Sequence, residues 1–202
     1  MNKSLLIDYT PFDVSPQQIN ESMSQNGGRL IVKGVLQRAE AKNQNGRIYP
    51  RQILMREADK YSKHFISERR ALGELDHPDS SVVNLNNVSH NIVEMHFDGN
   101  DLVGTVEILS TPSGNILREL FKAGIKLGIS SRGLGSVKEL HEAGAVEVQD
   151  DFELIAFDFV SNPSTHGAFL SPSKMHESVQ KGSITSRYNN IDRLVHDIIK
   201  DF

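Results

Sequence analysis

Two stretches of alternating apolar and polar residues constrain the fold most, because only a short turn signal separates them. They run from Val88 to Phe97 and from Leu102 to Leu109. Between them lies Asp98-Gly99-Asn100-Asp101, which is typical of a tight turn between antiparallel strands. The sequence therefore predicts a β-hairpin here, and with it part of an antiparallel sheet.

The remaining periodic segments predict further strands and two helices. Alternation predicts strands from Leu30 to Leu36, around Ser130, over residues 145–148 and over residues 152–160. One helix is predicted to begin at Pro50 and a second at Thr111-Pro112, because proline is favoured in the first helical turn. This mixture predicts the α+β class.

The size and composition of the chain exclude several classes of protein. Its 202 residues, 38% hydrophobic and 24% charged, suit one globular domain. The net charge of −4 argues against nucleic-acid binding, which depends on clustered basic residues. The absence of cysteine excludes disulfides and a cysteine nucleophile. No apolar run approaches the length of a membrane span.

The two ends of the chain differ in composition from its middle. Residues 1–28 are rich in Ser, Gln and Asn without a sustained apolar period, so they are predicted to be a flexible leader. The folded domain is predicted to cover residues 29–173. Residues 174–202 are predicted to be a flexible tail, with a short amphipathic helix at residues 191–199.

Two short glycine-containing segments carry the residues with the clearest catalytic potential. GELDHP at residues 73–78 offers the imidazole of His77, and GISSRGLGS at residues 128–136 offers a serine hydroxyl. Serine is a weak nucleophile unless a base removes its proton, and histidine is such a base near neutral pH. The pair predicts a serine hydrolase. From the residues alone, a turn histidine and a structural serine remain alternatives, and Ser130 and Ser131 are equal candidates.

The two segments, together with NGRIYP at residues 45–50, resemble the prohead core proteases of T4-type tailed phages. The similarity runs from about Leu30 to about Pro172. Those proteins are serine peptidases that mature the capsid precursor, and their fold is related to that of the herpesvirus assemblin protease. The resemblance therefore implies a mainly antiparallel, barrel-like sheet with flanking helices. It also implies service inside the prohead, in the cytoplasm of the bacterial host.

The resemblance assigns roles to individual residues. It makes Ser130, the first serine of the doublet, the nucleophile, and it places an acidic residue where Asp158 stands. Asp158 is therefore predicted to orient His77 and to stabilise its charged form. His166 is a rival for this role, because the assemblin relatives use a second histidine as third member. Asp76 is a weaker rival, because neighbouring residues on an extended chain point apart.

Charge stabilisation and substrate recognition have candidates near the nucleophile. The backbone N–H groups of Ser131, Arg132 and Gly133 are the predicted donors to the oxyanion that forms when the serine attacks. Members of the resembled family cut after glutamate, in the pattern aliphatic residue, any residue, glutamate. A basic side chain is therefore expected beside the substrate glutamate, and Arg132 or Arg47 is predicted to supply it.

The same pattern predicts self-processing near both ends of the chain. INE ends in Glu21 and precedes Ser22, and MHE ends in Glu177 and precedes Ser178. The pattern also occurs inside predicted helices and strands. A protease needs an extended, accessible segment, however, which favours the two flexible ends. Cleavage is therefore predicted after Glu21 and after Glu177.

The resemblance implies phage scaffold and core proteins, the major capsid precursor and the chain itself as substrates. It leaves a homo-oligomer open and implies no cofactor, nucleic acid or membrane. One alternative is a noncatalytic assembly protein that keeps the fold and docks through the tail helix. Another is a metal-dependent hydrolase, for which His90 and His96 have the even spacing of one strand face. No His-Glu-x-x-His pattern supports the metal alternative.

Overall fold

The computed structural model describes residues 3–78, 80–140 and 144–161 of the chain. In chain order the elements are β1 (Ser4–Phe12), α1 (Pro16–Gln25), β2 (Leu30–Arg38), β3 (Arg47–Ile48), α2 (Arg51–Tyr61), β4 (Leu72–Glu74), β5 (Val88–Asp98), β6 (Asp101–Ile108), α3 (Pro112–Lys122), β7 (Leu127–Gly135), β8 (Val137–Leu140), β9 (Ala145–Val148) and β10 (Glu153–Val160). A π-helical turn at Ser62–Ile66 follows α2, and a 3-10 turn at Leu85–Asn87 precedes β5.

The described strands form three sheets, and the predicted hairpin lies in the largest. That sheet has the order β2-β6-β5-β4, with every pair antiparallel. Gly99, in the turn between β5 and β6, has a positive φ of 57°, which glycine adopts without strain. The other sheets have the orders β1-β7-β10 and β3-β9-β8. The prediction of an α+β fold with mainly antiparallel pairing is confirmed.

None of the three described sheets closes into a barrel, so the expectation of a barrel-like sheet is wrong. Each sheet ends in two edge strands. β10 comes nearest to further pairing, where a bridge joins Phe159 to Leu75, just after β4. Asp76 follows with a positive φ of 66°, so the chain is not extended there.

The start of the chain is folded, so the prediction of a flexible leader is wrong for residues 4–25. β1 pairs with β7 along its whole length and buries Leu6 and Phe12. The polar composition of this segment gave no strand pattern in the sequence. Pro11 argues against a central strand, but β1 is an edge strand, where a missing N–H is tolerated. The polar Asp8 is buried because later residues supply its partners.

Helix α1 also lies in the segment that was expected to be flexible. Ser15 and Gln18 form a capping box, in which the side chain of each accepts the backbone N–H of the other at 3.2 and 2.8 Å. The side chain of Ile19 is buried and packs the helix against the core. The polar composition of α1 reflects an exposed outer face rather than a lack of structure.

The two predicted helices are confirmed. α2 starts directly after Pro50, and α3 starts at Pro112, where Oγ1 of Thr111 accepts the N–H of Gly114 at 3.0 Å. No helix among the described residues is long and apolar enough to cross a membrane. The predicted tail helix lies outside the described residues.

Phe159 on β10 anchors the sheet that matters most for the site. Its ring makes edge-on contacts with Phe12, His90 and Phe121, with ring centroids 5.2, 4.8 and 5.4 Å away. Such contacts fix an aromatic ring in one orientation. Since side chains alternate along a strand, the preceding residue, Asp158, faces the other side of the same sheet.

Candidate active site

β7 is the central strand of its sheet and carries Ser130. The direct partners of Ser130 are Tyr9 on β1 and Asp158 on β10. Opposed residues on antiparallel strands share a face, so these three side chains lie on one side of the sheet. Ser130 is 1% exposed, and its Oγ has no hydrogen-bond partner among the described residues. Buried hydroxyls normally have partners, so this one calls for a functional explanation.

Ser131 lies on the opposite face of β7, as alternation requires. Its strand partners are Asp8 and Phe157, and it is 1% exposed. Its Oγ donates a long hydrogen bond of 3.4 Å to the carbonyl oxygen of Asp8. The two serines of the doublet therefore have different environments, and Ser130 alone shares a face with Asp158.

The segment that carries His77 is held against the outer edge of β10. Gly73 packs so closely there that a Cβ would lie 2.0 Å from the carbonyl oxygen of Phe157. Three residues later, the N–H of Asp76 donates to the carbonyl oxygen of Phe159 at 2.8 Å. His77 follows directly. These contacts bring its backbone beside the strand that neighbours β7.

No hydrogen bond joins His77 to Ser130 in the described structure. Nδ1 of His77 is buried and, like Oγ of Ser130, has no hydrogen-bond partner among the described residues. In substrate-free enzymes the catalytic hydrogen bonds are often long and tighten only when substrate binds. The candidate base thus follows a segment that is bonded to β10, the strand next to that of Ser130, without the proton-transfer contact.

Asp158 is engaged by groups other than His77. Its Oδ2 lies 2.9 Å from Nε of Arg132, and its Oδ1 lies 3.2 Å from Nη2 of the same residue. Oδ1 also accepts the N–H of Glu74 at 3.0 Å. Burial raises the pKa of Asp158 to about 6, although Arg132 and the Glu74 N–H act to lower it. The predicted contact with the imidazole is absent from the described bonds of Asp158.

The other two candidates for the third catalytic position differ from the sequence expectation. Asp76 has a positive φ of 66°, so the chain is not extended there. Its Oδ1 accepts the backbone N–H of His77 at 3.1 Å, a contact with the main chain rather than the imidazole. His166 lies outside the described residues.

Neither arginine that was predicted to read a substrate glutamate is exposed. Arg132 is 0% exposed, and its Nη2 lies 3.0 Å from Oε1 of Glu74 in addition to its contacts with Asp158. Arg47 is 5% exposed, with Nη1 2.9 Å from Oδ1 of Asp8. A buried guanidinium needs a carboxylate partner, and each already has one. This arrangement offers neither to a substrate carboxylate.

The NGRIYP segment fastens β1 to the rest of the domain. Asp8 on β1 accepts hydrogen bonds from Nδ2 of Asn45 at 2.7 Å, from Nη1 of Arg47 at 2.9 Å and from the hydroxyl of Tyr49. Burial and the charge of Asp8 raise the pKa of Tyr49 well above its usual value. The residues that supported the family resemblance in this segment therefore have a structural role.

The predicted oxyanion donors lie inside the central strand. Ser131, Arg132 and Gly133 pair with β1 on one side and with β10 on the other. In such a strand the N–H groups point in the plane of the sheet, toward its neighbours. Within the described pairing, the three N–H groups therefore point toward β1 and β10 and not toward a cleft. Their role as oxyanion donors stays a prediction.

Sequence reasoning missed Glu74. It is fully buried, and its Oε1 contacts both Arg132 and the N–H of Asn84, the latter at 3.0 Å. A signal was available, because Glu74 lies between Gly73 and Leu75 in an apolar stretch, where a carboxylate is costly unless it has a partner.

A profile of the prohead core protein serine protease family matches residues 7–180, which is most of the chain. This chain belongs to that family. The prohead core protein protease of Enterobacteria phage T4 is 32% identical over 160 residues, covering 78% of this chain and 75% of that protein. The resemblance inferred from the sequence is confirmed.

The solved structure of the bacteriophage T4 capsid assembly protease also resembles this family member. The two share 30% sequence identity with a TM-score of 0.68, and the match covers 80% of this chain and 100% of that chain. The mixed α+β architecture described above is therefore one that a capsid assembly protease has.

The metal-dependent alternative finds no support in the described part of this family member. A register shift between Ile92 and Glu94 breaks the alternation of β5, so His90 is buried while His96 is exposed. The expectation that these two histidines share a face is therefore wrong. No cluster of three or more potential metal-ligating side chains occurs among the described residues.

Of the two predicted self-processing sites of this family member, only the one at Glu21 lies within the described residues. Glu21 and Ser22 lie inside α1, and Oγ of Ser22 accepts the N–H of Ile31 at 2.8 Å and donates to its carbonyl oxygen at 2.7 Å. The premise that this site is extended and accessible is wrong. Glu177 and Ser178 lie outside the described residues.

Proposed function

We propose that this member of the prohead protease family is a serine endopeptidase that cleaves phage scaffold, core and capsid precursor proteins inside the prohead, in the host cytoplasm. Membership of the family supports peptidase activity in capsid assembly. One observation carries the catalytic assignment. The Oγ of Ser130 is buried on a central strand without a partner in the described part of the chain, beside the strand against which the His77 segment is fastened.

In the proposed mechanism, His77 takes the proton of Ser130 as Oγ attacks the carbonyl carbon of the scissile bond. The tetrahedral intermediate collapses when His77 gives that proton to the leaving amine, which leaves an acyl-enzyme. Water, deprotonated by the same imidazole, then releases the new carboxyl end. Asp158 is the proposed third member. Its oxygens contact Arg132 and the N–H of Glu74 and not His77 in the described structure, so His166 stays a rival.

We extend the proposal to specificity and architecture on the basis of the family resemblance. The proposed cleavage follows glutamate in the pattern aliphatic residue, any residue, glutamate, and it includes self-processing after Glu177 and Glu21. The proposed architecture is related to that of the herpesvirus assemblin proteases. Because the described sheets are open, the proposed similarity to the assemblin proteases concerns the order and packing of the strands and not a closed barrel.

A fluorophosphonate probe combined with a peptide assay tests the catalytic assignment. The probe is expected to label Ser130, as read by mass spectrometry of the labelled peptide. Ser130→Ala is expected to lose the label, while Ser131→Ala keeps it, because its hydroxyl makes only one long hydrogen bond. His77→Gln is expected to lower kcat by about 10²–10⁴-fold, the range typical of a general base.

The noncatalytic alternative has one observation in its favour, which is that Ser130 is 1% exposed. A substrate can reach this residue only if neighbouring segments move. If the full-length protein takes no label at Ser130 and cuts neither a glutamate-containing peptide nor capsid precursor, the protein is a scaffold-binding member of the family. Cleavage that persists in both Ser130→Ala and His77→Gln contradicts the assigned residues.

A further inference from the structure

Residues 80–84 are attached to the side of the sheet on which Ser130 lies. Nη1 of Arg132 donates to the carbonyl oxygen of Ser80 at 2.7 Å and to that of Val82 at 3.4 Å. Arg132 is two residues after Ser130 on β7, so both side chains leave the strand on the same face. The guanidinium therefore fixes this segment beside the candidate nucleophile through main-chain contacts.

Glu74 holds the far end of the same segment and also holds Arg132. Its Oε1 accepts the N–H of Asn84 at 3.0 Å and lies 3.0 Å from Nη2 of Arg132. Both side chains are fully buried, where charge-assisted hydrogen bonds are strong. Asp158 contacts the guanidinium as well, so Arg132 is fixed in one orientation. The segment thus has a rigid support.

The chain has another attachment immediately before His77. The N–H of Asp76 donates to the carbonyl oxygen of Phe159 at 2.8 Å, and Oδ1 of Asp76 accepts the N–H of His77 at 3.1 Å. From this edge of β10 the chain continues to the guanidinium of Arg132. Nδ1 of His77 has no partner among the described residues. The described main-chain attachments at Asp76 and Ser80 therefore flank His77 in the sequence.

We propose that Arg132 and Glu74 are positioning residues, which hold residues 80–84 and thereby set the position of His77 relative to Ser130. This inference rests on the proposed function, in which His77 is the general base. It assigns Arg132 a role different from reading a substrate glutamate. Neither residue touches the reacting atoms.

The proposal depends on the shape of the guanidinium as well as on its charge. Arginine presents a planar fork of donors, so one side chain reaches two carboxylates and two carbonyl oxygens at once. Lysine keeps the positive charge but offers one compact ammonium group. Arg132→Lys therefore separates charge from geometry. Glu74→Gln is the second variant, because it keeps an oxygen that can accept the N–H of Asn84 and removes the charge facing Arg132.

Steady-state kinetics on full-length protein test the positioning role. The substrates are two fluorogenic peptides, Ile-Asn-Glu-Ser and its glutamine counterpart Ile-Asn-Gln-Ser. For Arg132→Lys, kcat on the glutamate peptide is expected to fall about 10²-fold, because a base displaced by about 1 Å loses that much. The slower cleavage of the glutamine peptide is expected to fall by the same factor. KM is expected to stay unchanged. A rise in KM confined to the glutamate peptide would overturn the proposal in favour of substrate reading.

Hydrogen exchange tests the structural half without relying on activity. In a Ser130→Ala background, exchange of the Asn84 amide is expected to speed up about tenfold in Arg132→Lys, as loss of a charge-assisted hydrogen bond implies. Arg47→Lys is the matched control, since it alters another buried arginine–carboxylate pair, which joins Arg47 on β3 to Asp8 on β1. Exchange at Asn84 is expected to stay unchanged in that control. Equal acceleration in both variants overturns the inference.

The two readouts keep this inference distinct from the proposed function. If Ser130 takes no label in the unaltered protein, the proposed function fails whatever happens to the exchange of Asn84. If Ser130 is labelled and Arg132→Lys leaves kcat unchanged, the positioning role fails and the proposed function stands. Should Arg132→Lys not fold, the same two measurements on Glu74→Gln decide, with the same expected directions.

Discussion

Ser130 and Asp158 are direct partners on adjacent antiparallel strands, so a buried hydroxyl and a fully buried carboxyl share one face of the sheet. The arginine that neutralises Asp158 is two residues after Ser130 on the same strand. The candidate nucleophile, the carboxyl and the arginine therefore lie on two adjacent strands. Any change in the charge of this cluster acts directly beside the candidate nucleophile.

The pKa of Asp158 predicts an unusual dependence of stability on pH. The folded protein holds this proton up to about pH 6, whereas the unfolded chain releases it near 3.8. The contribution of Asp158 to stability is therefore fully present below pH 3.8 and is lost as pH rises through 6. The free energy of unfolding of the unaltered protein, minus that of Asp158→Asn, should fall by about 1.4 kcal/mol per unit in this window.

Urea unfolding at several pH values measures this difference. His90 titrates in both proteins, so its contribution cancels in the subtraction. If the difference in the free energy of unfolding between the two proteins does not change with pH, Asp158 has an ordinary pKa and is exposed to solvent.

His90 predicts the opposite sign. It is fully buried, with Nε2 2.9 Å from the carbonyl oxygen of Phe157, and burial lowers the pKa of His90 to about 3. The unfolded chain binds a proton near 6.5, so stability is lost as pH falls below that value. The loss amounts to about 1.4 kcal/mol per unit.

Replacement of each histidine on β5 isolates this effect. In His90→Gln, the decrease in the free energy of unfolding between about pH 6.5 and about pH 5 is expected to be smaller by the amount that His90 supplies. His96→Gln is the control, because His96 is exposed on the same strand. Equal pH slopes in the two variants contradict the assignment.

Gly73→Ala is expected to damage both stability and catalysis. A Cβ at this position would lie 2.0 Å from the carbonyl oxygen of Phe157 and 2.3 Å from Nε2 of His90, so β4 must move away from β10. Overpacking of this kind costs about 1–3 kcal/mol. Because His77 follows on the same segment, kcat is expected to fall as well.

A second glycine provides the comparison for this variant. Gly99→Ala meets no atom within 4 Å, although its φ of 57° makes alanine strained by about 1–2 kcal/mol. It is expected to lower the melting temperature while kcat stays the same. If Gly73→Ala behaves like Gly99→Ala in both measurements, the close approach of β4 to β10 does not position the His77 segment.

Self-processing is expected to occur after Glu177 before it occurs after Glu21. Glu21 lies in α1, so the helix must open before that bond can enter a cleft, and the rate then follows the population of the open form. Ser15→Ala removes the cap of α1 at a cost of about 1 kcal/mol and should accelerate this cut about fivefold.

Time-resolved intact-mass measurement follows both cuts in one sample. The cut after Glu177 serves as the internal reference, and Ser130→Ala is the negative control. Simultaneous appearance of the two products, with no effect of Ser15→Ala, would contradict the requirement that α1 open first.

Elements with strong local signals could be predicted from the sequence. The β5–β6 hairpin was marked by its turn residues, and α3 by Thr111 and Pro112. β1 was missed because its stability comes from distant partners. α1 was missed because its exposed outer face is polar, although Ser15 and Gln18 form a local cap. Asp8 makes β1 look polar until Asn45, Arg47 and Tyr49 are brought against it.

The candidate site was predictable in its members but not in its contacts. The expected pairing of Asp158 with His77 assumed that a buried carboxylate near a catalytic serine orients the imidazole. Arg132 and Glu74 instead meet Asp158 across sequence separations of 26 and 84 residues. Sequence spacing contains no information about such distances, so the competing partner of Asp158 could not be recognised before the strands were assembled.

The placement of β1 gives the proposed cut after Glu21 a structural consequence. A cut after Glu21 severs the covalent link between this nine-residue strand and the rest of the protein, leaving it bound to β7 like a peptide ligand. Once it departs, β7 becomes an edge with unpaired main-chain groups, ready for strand addition by another polypeptide. A cut after Glu21 would therefore let another polypeptide take the place of β1 beside Ser130.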